Sequence, residues 1–216
     1  GTGEYRTICP ICSHLRKREN QNKRVLSYNR STLQGYCSHC NEVFYPYNED
    51  LHRTDYILPD LSKQKIIEKE ASFLEYWAKR GISKETLEYA KVTEQIEFIP
   101  QENKEVKCTA FNYFRNGELI NIKYRSKQKN FKLISGSELI LYNLDSIKIP
   151  SEDNYAVICE GEPDALSYIE AGIKRTLSVP NGAGAKNQNL KFIDNCYEDI
   201  KDIETWYISV DSDANG

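Results

Sequence analysis

The sequence predicts a mixed α+β and α/β chain in three parts. These are a small cysteine-pinned ribbon, a basic antiparallel α+β unit, and a C-terminal parallel α/β sheet. Three observations predict this. Two C-x-x-C pairs, Cys9-Pro-Ile-Cys12 and Cys37-Ser-His-Cys40, bracket the N-terminal stretch. Strand-like runs on either side of Asn116-Gly117 form a hairpin signal in the middle. From residue 155 the pattern becomes strand–helix–strand–helix–strand, which implies parallel crossovers. A chain of 216 residues is long enough for two or three such units.

The cysteine spacing is that of a four-thiolate structural zinc site, so residues 1–45 read as a zinc ribbon with Cys9, Cys12, Cys37 and Cys40 as ligands. Short strands are expected around Val25–Tyr28 and Gly35–Tyr36. His14 and His39 lie close by, but four thiolates need no further ligand. Two disulfides are the competing reading. They are disfavoured because no apolar leader or membrane-length apolar run occurs in these residues, and Cys108, Cys159 and Cys196 would remain as free thiols. The setting expected is a reducing cytoplasm, with no membrane contact. Arg16, Lys17, Arg18, Lys23 and Arg24 line the excursion between the knuckles, near Tyr28 and Tyr36. Such a surface either contacts phosphates and stacks single-stranded bases, or is a solvated loop.

Residues 46–62, with Pro46 and Pro59, read as a linker. Ser62 is expected to cap a helix reaching about Arg80, with Ile66, Ile67, Phe73, Leu74 and Trp77 as its buried stripe and Gly81 as its stop. Ser83 caps a second, short helix. Residues 63–150 then form the basic α+β unit. On its third strand Ile120, Ile122 and Tyr124 share one face, and Asn121, Lys123 and Arg125 the other.

Charge is distributed unevenly. Residues 1–60 carry +1, residues 61–150 carry +4 and residues 151–216 carry −8. An acidic end joined to a basic middle says more than the net −3. In the acidic end, residues 151–216, A-V-I-C-E-G-E-P-D delivers Glu160 and Asp164, and W-Y-I-S-V-D-S-D delivers Asp211 and Asp213. Functional groups of an open parallel sheet collect beyond the carboxyl ends of its strands. Carboxylates meeting there repel one another unless a cation lies between them, and hard oxygen ligands suit Mg²⁺ or Mn²⁺. Glu160, Asp211 and Asp213 are therefore the candidate catalytic metal ligands, for one or two ions. Glu162 is expected to point away from Glu160, and Asp164 to open the next helix in support.

The strip Lys123, Arg125, Lys129 and Lys132 offers several cations to a triphosphate or template backbone, or is a lysine-protected solvated edge. In the loop S-V-P-N-G-A-G-A, Asn181 and Gly182 stand where a backbone could approach phosphate, although a plain β-to-α connection reads equally well.

E-G-E-x-D after one strand and D-x-D-x-x-G after another resemble the TOPRIM signature of DnaG-type primases, topoisomerases and some nucleases. The Arg125–Lys132 stretch, R-G-I-S-K-E-T-L at 80–87 and L-Y-N-L at 141–144 resemble bacteriophage primase-helicases. So does the order zinc ribbon, tether, basic unit, TOPRIM, across nearly the whole chain. The resemblance implies a DNA primase fragment that joins ribonucleoside triphosphates on a single-stranded DNA template. It implies Glu160 as acid/base or metal-bridging carboxylate, a zinc domain that reads the template, and a replicative helicase, fused or separate, as partner in a bacterial or phage-infected cytoplasm. No G-x-x-x-x-G-K-[ST] occurs here, so no helicase motor is expected within these residues. Two other classes share parts of the pattern. Recombination mediators place a zinc module before TOPRIM without catalysis, but with closer knuckles and no long basic unit. TOPRIM nucleases use the same acids but need neither ribbon nor basic strip. The family's TOPRIM unit continues past D-x-D-x-x-G, so the unit in these residues is expected to be incomplete.

Overall fold

The structure is a computed structural model that describes residues 4–29, 34–44, 55–181 and 190–210. The chain divides into two compact units, Gly1–Asp55 and Tyr56–Gly216.

In the first unit β1 (Glu4–Thr7), β2 (Leu26–Asn29), β3 (Gly35–Cys37) and β4 (Val43–Phe44) form an antiparallel meander in that order. Gly35 is required where the strands close on one another. A Cβ there would stand 3.1 Å from Leu26 Cδ1 and 3.3 Å from Phe44 Cβ.

The second unit opens differently from expectation. No helix runs from Ser62 to Arg80. Asp60 instead accepts from the Ser62 N–H at 3.0 Å and caps a single 3₁₀ turn, Leu61–Lys63. The chain then enters β5 (Lys65–Ile67), and only Ala71–Ala78 forms helix α1. Ile66 and Ile67 are β-branched and find an antiparallel partner in β6 (Thr93–Ile99), which outweighs helical periodicity. Ile66 is exposed on that edge, while Phe73 and Trp77 do form the buried stripe of α1. Gly81 ends the helical segment in the left-handed region, at φ +76°. Ser83 caps α2 (Lys84–Tyr89) by accepting from the Thr86 N–H at 3.2 Å.

β7 (Lys104–Arg115) and β8 (Glu118–Ser126) form the hairpin. Asn116 and Gly117 both have positive φ, 54° and 78°, as a twist-matched two-residue turn requires. β9 (Phe131–Leu133) completes a five-stranded antiparallel sheet in the order β5-β6-β7-β8-β9. Ile120 is skipped in the register between Tyr113↔Asn121 and Phe114↔Leu119. That bulge puts Ile120 in the main core rather than with Ile122 and Tyr124, which pack with Ile99, Cys108 and Ala110 on the other face.

The C-terminal layer is β10 (Tyr155–Cys159), α3 (Glu162–Glu170), β11 (Thr176–Ser178), α4 (Lys191–Ile200) and β12 (Thr205–Ser209). β10 lies in the middle, parallel to β11 on one side and β12 on the other. One core unites this layer with the antiparallel sheet. Within it an edge-to-face series runs Phe73–Trp77–Phe111–Tyr142–Tyr113. Such contacts add about 0.5–1.5 kcal/mol each to burial, and they hold the two sheets in fixed register around the cleft described next.

Candidate functional site

In the ribbon the first knuckle is closed by Ser13, whose N–H donates to Cys9 O at 3.1 Å and whose Oγ accepts from the Cys9 N–H at 3.0 Å. The second is closed by Asn41, in the left-handed region at φ 59°, donating to Cys37 O at 2.9 Å. All four Sγ atoms lie within 4.8 Å of one another. Cys9–Cys40 and Cys12–Cys37 are separated by 3.8 and 3.7 Å. A tetrahedron of four Zn–S bonds of about 2.3 Å has edges of about 3.8 Å, so these residues fit the metal. A disulfide needs roughly 2 Å, and all seven cysteines are free. Burial opposes a thiolate at Cys37, but the N–H groups of Cys40 and His39 outweigh it and bring its pKa down to about 6. His14 and His39 do not belong to the cluster.

In the second unit a cleft of about 360 Å³ lies beyond the carboxyl end of β10. Because the chain leaves β10 for β11 on one side and reaches β12 on the other, this end is the switch point of the parallel sheet, where such folds bind ligands. One wall is built from the β8–β9 hairpin and carries Lys123, Arg125, Lys129 and Phe131. The other carries Glu160, Asp164 and Asn181, and Arg80 enters from the turn after α1. Gly161 shapes the acid-bearing wall, because a Cβ there would meet Asp164 Oδ2 at 3.1 Å. Glu162 and Asp164 stand in the first turn of α3, where the helix dipole favours negative charge.

Lys123 does not follow the sequence expectation of a free cation, and its partner is Glu162. Lys123 is only 7% exposed and Glu162 only 2%. The Lys123 ammonium donates to both Glu162 oxygens, at 2.8 and 3.0 Å, and to Pro180 O at 2.8 Å. The Tyr113 hydroxyl also donates to Glu162. Burial and the neighbouring Glu162 charge push the Tyr113 pKa well up, so the phenol keeps its proton. One ammonium thus joins β8, the first turn of α3 and the loop after β11. Lys123 is a support for the start of α3 and the loop after β11 rather than a free cation, and Glu162 faces that support.

Of the other sequence candidates, Glu160, Asp164, Arg125, Lys129 and Asn181 come together in the cleft. Lys132 does not. It is opposite Tyr124 in the register, hence on the other sheet face, where its ammonium meets Glu97 Oε1 at 2.6 Å and Phe98 O at 3.3 Å. Gly182, Asp211 and Asp213 lie outside the described residues. Sequence reasoning did not assign Arg80, Tyr113 or Phe131 to the site. Arg80 gave one signal, as the first residue of the R-G-I-S-K-E-T-L segment.

No protein-family model matches the chain. A primase homolog protein of Arabidopsis thaliana is 35% identical over 153 residues, covering 66% of this chain and 43% of that protein. The chain therefore spans less than half the length of this curated relative. The primase fragment of the bacteriophage T7 primase-helicase protein superposes with a TM-score of 0.50 at 22% identity, covering 98% of this chain and 81% of that one. The zinc-binding and RNA polymerase domains of the Aquifex aeolicus primase superpose with a TM-score of 0.52 at 15% identity, covering 100% and 67%. The chain is similar in sequence to a curated primase homolog, and its fold is similar to that of primase zinc-binding and RNA polymerase domains. Along the chain the four-cysteine ribbon comes first, then the antiparallel basic unit, then the parallel sheet. No helix among the described residues is long and apolar enough to cross a membrane.

Proposed function

We propose that this chain is the primer-synthesising part of a DNA primase, joining ribonucleoside triphosphates on single-stranded DNA. The observation that carries the reading is the cleft itself. It sets the cations of a basic hairpin against an acid-bearing strand end at the switch point of a parallel sheet. The primase names of the relatives and structural neighbours support it.

Arg125, Lys129 and Arg80 neutralise the triphosphate and the template backbone. Asn181 contacts the phosphate or sugar from the opposite wall. Glu160, with Asp211 and Asp213 after β12 in the sequence, would hold one or two Mg²⁺ or Mn²⁺ ions. Such ions would supply Lewis-acid stabilisation for the attacking 3′-hydroxyl and the leaving phosphate oxygens. Lys123 acts by holding Glu162 and Pro180, which keeps the start of α3 and the loop after β11 at fixed separation. The four cysteines bind one structural Zn²⁺, and the basic excursion Arg16–Arg24 with Tyr28 and Tyr36 contacts the template. A replicative helicase is the expected partner.

The test is incubation of the protein with single-stranded template, Mg²⁺ and labelled ribonucleotides. Extension to short oligomers supports the proposal. Cleavage of the template would mark a TOPRIM nuclease, and retention of DNA without chemistry would mark a non-catalytic binder.

A further inference from the structure

The cleft contains one aromatic ring that the phosphate and metal chemistry leaves without a task. Phe131 is 45% exposed, on a wall otherwise made of charged side chains. Its backbone is held firmly, opposite Arg125 in the β8–β9 register, and its carbonyl accepts from Gln101 Nε2 at 3.3 Å. The ring packs under the Lys123 ammonium, which lies 5.0 Å from its centroid. That ammonium cannot swing away, because Glu162 and Pro180 hold it. A fixed cation over one ring face draws π-density toward itself. The ring surface that remains open is then a rigid, electron-poor plate beside Arg125 and Lys129. An electron-rich planar group whose attached phosphates can reach those cations is the ligand this arrangement fits.

We propose that Phe131 is the stacking platform for the nucleobase of the bound ribonucleoside triphosphate. This rests on the primase reading of the cleft and names a subsite within it. Stacking accepts every base, since each has a π-face, and so suits a site in which the template chooses the nucleotide. It also predicts a graded preference, with purines held better than pyrimidines because they present more surface. A volume near 360 Å³ lies within the roughly 300–1,000 Å³ of small-molecule sites, enough for one nucleotide beside the ring.

The competing role for Phe131 is a cover that keeps water from the Lys123–Glu162 pair. Ligands with and without a base separate the two. Dissociation constants for ATP, UTP and inorganic tripolyphosphate are measured calorimetrically with Mg²⁺ on the full chain and on Phe131→Leu and Phe131→Trp. Leucine keeps an apolar cover but removes the ring, and tryptophan keeps a ring. The expected result is ATP binding weakened about tenfold in Phe131→Leu, UTP weakened less, tripolyphosphate unchanged, and ATP affinity restored in Phe131→Trp. Equal loss for ATP and tripolyphosphate, or unchanged ATP binding in Phe131→Leu, would overturn the platform while leaving the primase reading intact. If the unaltered chain binds tripolyphosphate but shows no gain for ATP, the platform again fails. If it binds none of the three, the nucleotide reading of the cleft fails with it.

Discussion

The cysteine cluster and the Lys123–Glu162 pair both gather charge away from water, but they differ in where the compensating cation comes from. In the ribbon, Cys9, Cys12, Cys37 and Cys40 supply only donors, and the cation must arrive from solution. In the cleft, Glu162 is compensated by Lys123 of the same chain, with Tyr113 and Pro180 completing the set. The first unit should therefore depend on metal for its fold. The second should be indifferent to chelators in stability, and need metal only for chemistry. Glu160 marks the difference within the cleft, because it shares a wall with Glu162 but has no ammonium bonded to it among the described residues.

Metal removal should break the comparison most forcefully. Structural zinc contributes on the order of 10–16 kcal/mol in small zinc domains. Chelation, or Cys37→Ser, should release one zinc per chain and unfold the ribbon, while the thermal transition of Tyr56–Gly216 stays in place. Elemental analysis and circular dichroism report this. A single transition that shifts as a whole would show that the two units are not energetically separate.

The next effect belongs to the buried pair. Lys123→Met leaves Glu162 buried without its cation and should cost about 3–5 kcal/mol in denaturant unfolding. Adding Glu162→Leu should recover much of that loss, since an apolar pair of similar volume is often no worse than a buried ion pair. A double variant as unstable as the sum of the single ones would mean that Lys123 and Glu162 act independently.

Glu160 and Glu162 then sharpen the contrast between neighbouring acids. Glu160→Gln should abolish primer synthesis and leave the unfolding midpoint unchanged. Glu162→Gln should lower the midpoint and reduce synthesis only in proportion. Unimpaired synthesis by Glu160→Gln would remove it from the metal ligands. Among the cations, Arg125→Ala and Lys129→Ala should each flatten the salt dependence of single-stranded DNA binding by about 0.7 in slope, and Lys132→Ala should not.

The smallest effect concerns the cap of α2, whose Ser83 hydroxyl also donates to Glu170 Oε2 of α3 at 2.8 Å. Ser83→Ala removes the α2 cap and should cost about 1 kcal/mol, with no change in nucleotide affinity.

Local chemistry accounts for what the amino-acid sequence determined by itself. The C-x-x-C pairs, the Asn116-Gly117 turn, the Ser83 cap and the strand–helix alternation after residue 155 each depend on residues a few positions apart, so their patterns survive in one dimension. The tertiary structure alone decided the rest. Ile66 and Ile67 became a strand because β6 lies beside them, which no helical periodicity reveals. Ile120 changed faces because one bulge breaks the alternation of β8. Lys123 and Lys132 are both lysines of one basic strip, yet one is buried on Glu162 and the other is paired with Glu97 on the opposite face. An ammonium seeks the nearest carboxylate in space, and for Lys123 that carboxylate is 39 residues away along the chain. Which cations stay available to a ligand is therefore settled by packing, after the chain has spent the others on itself.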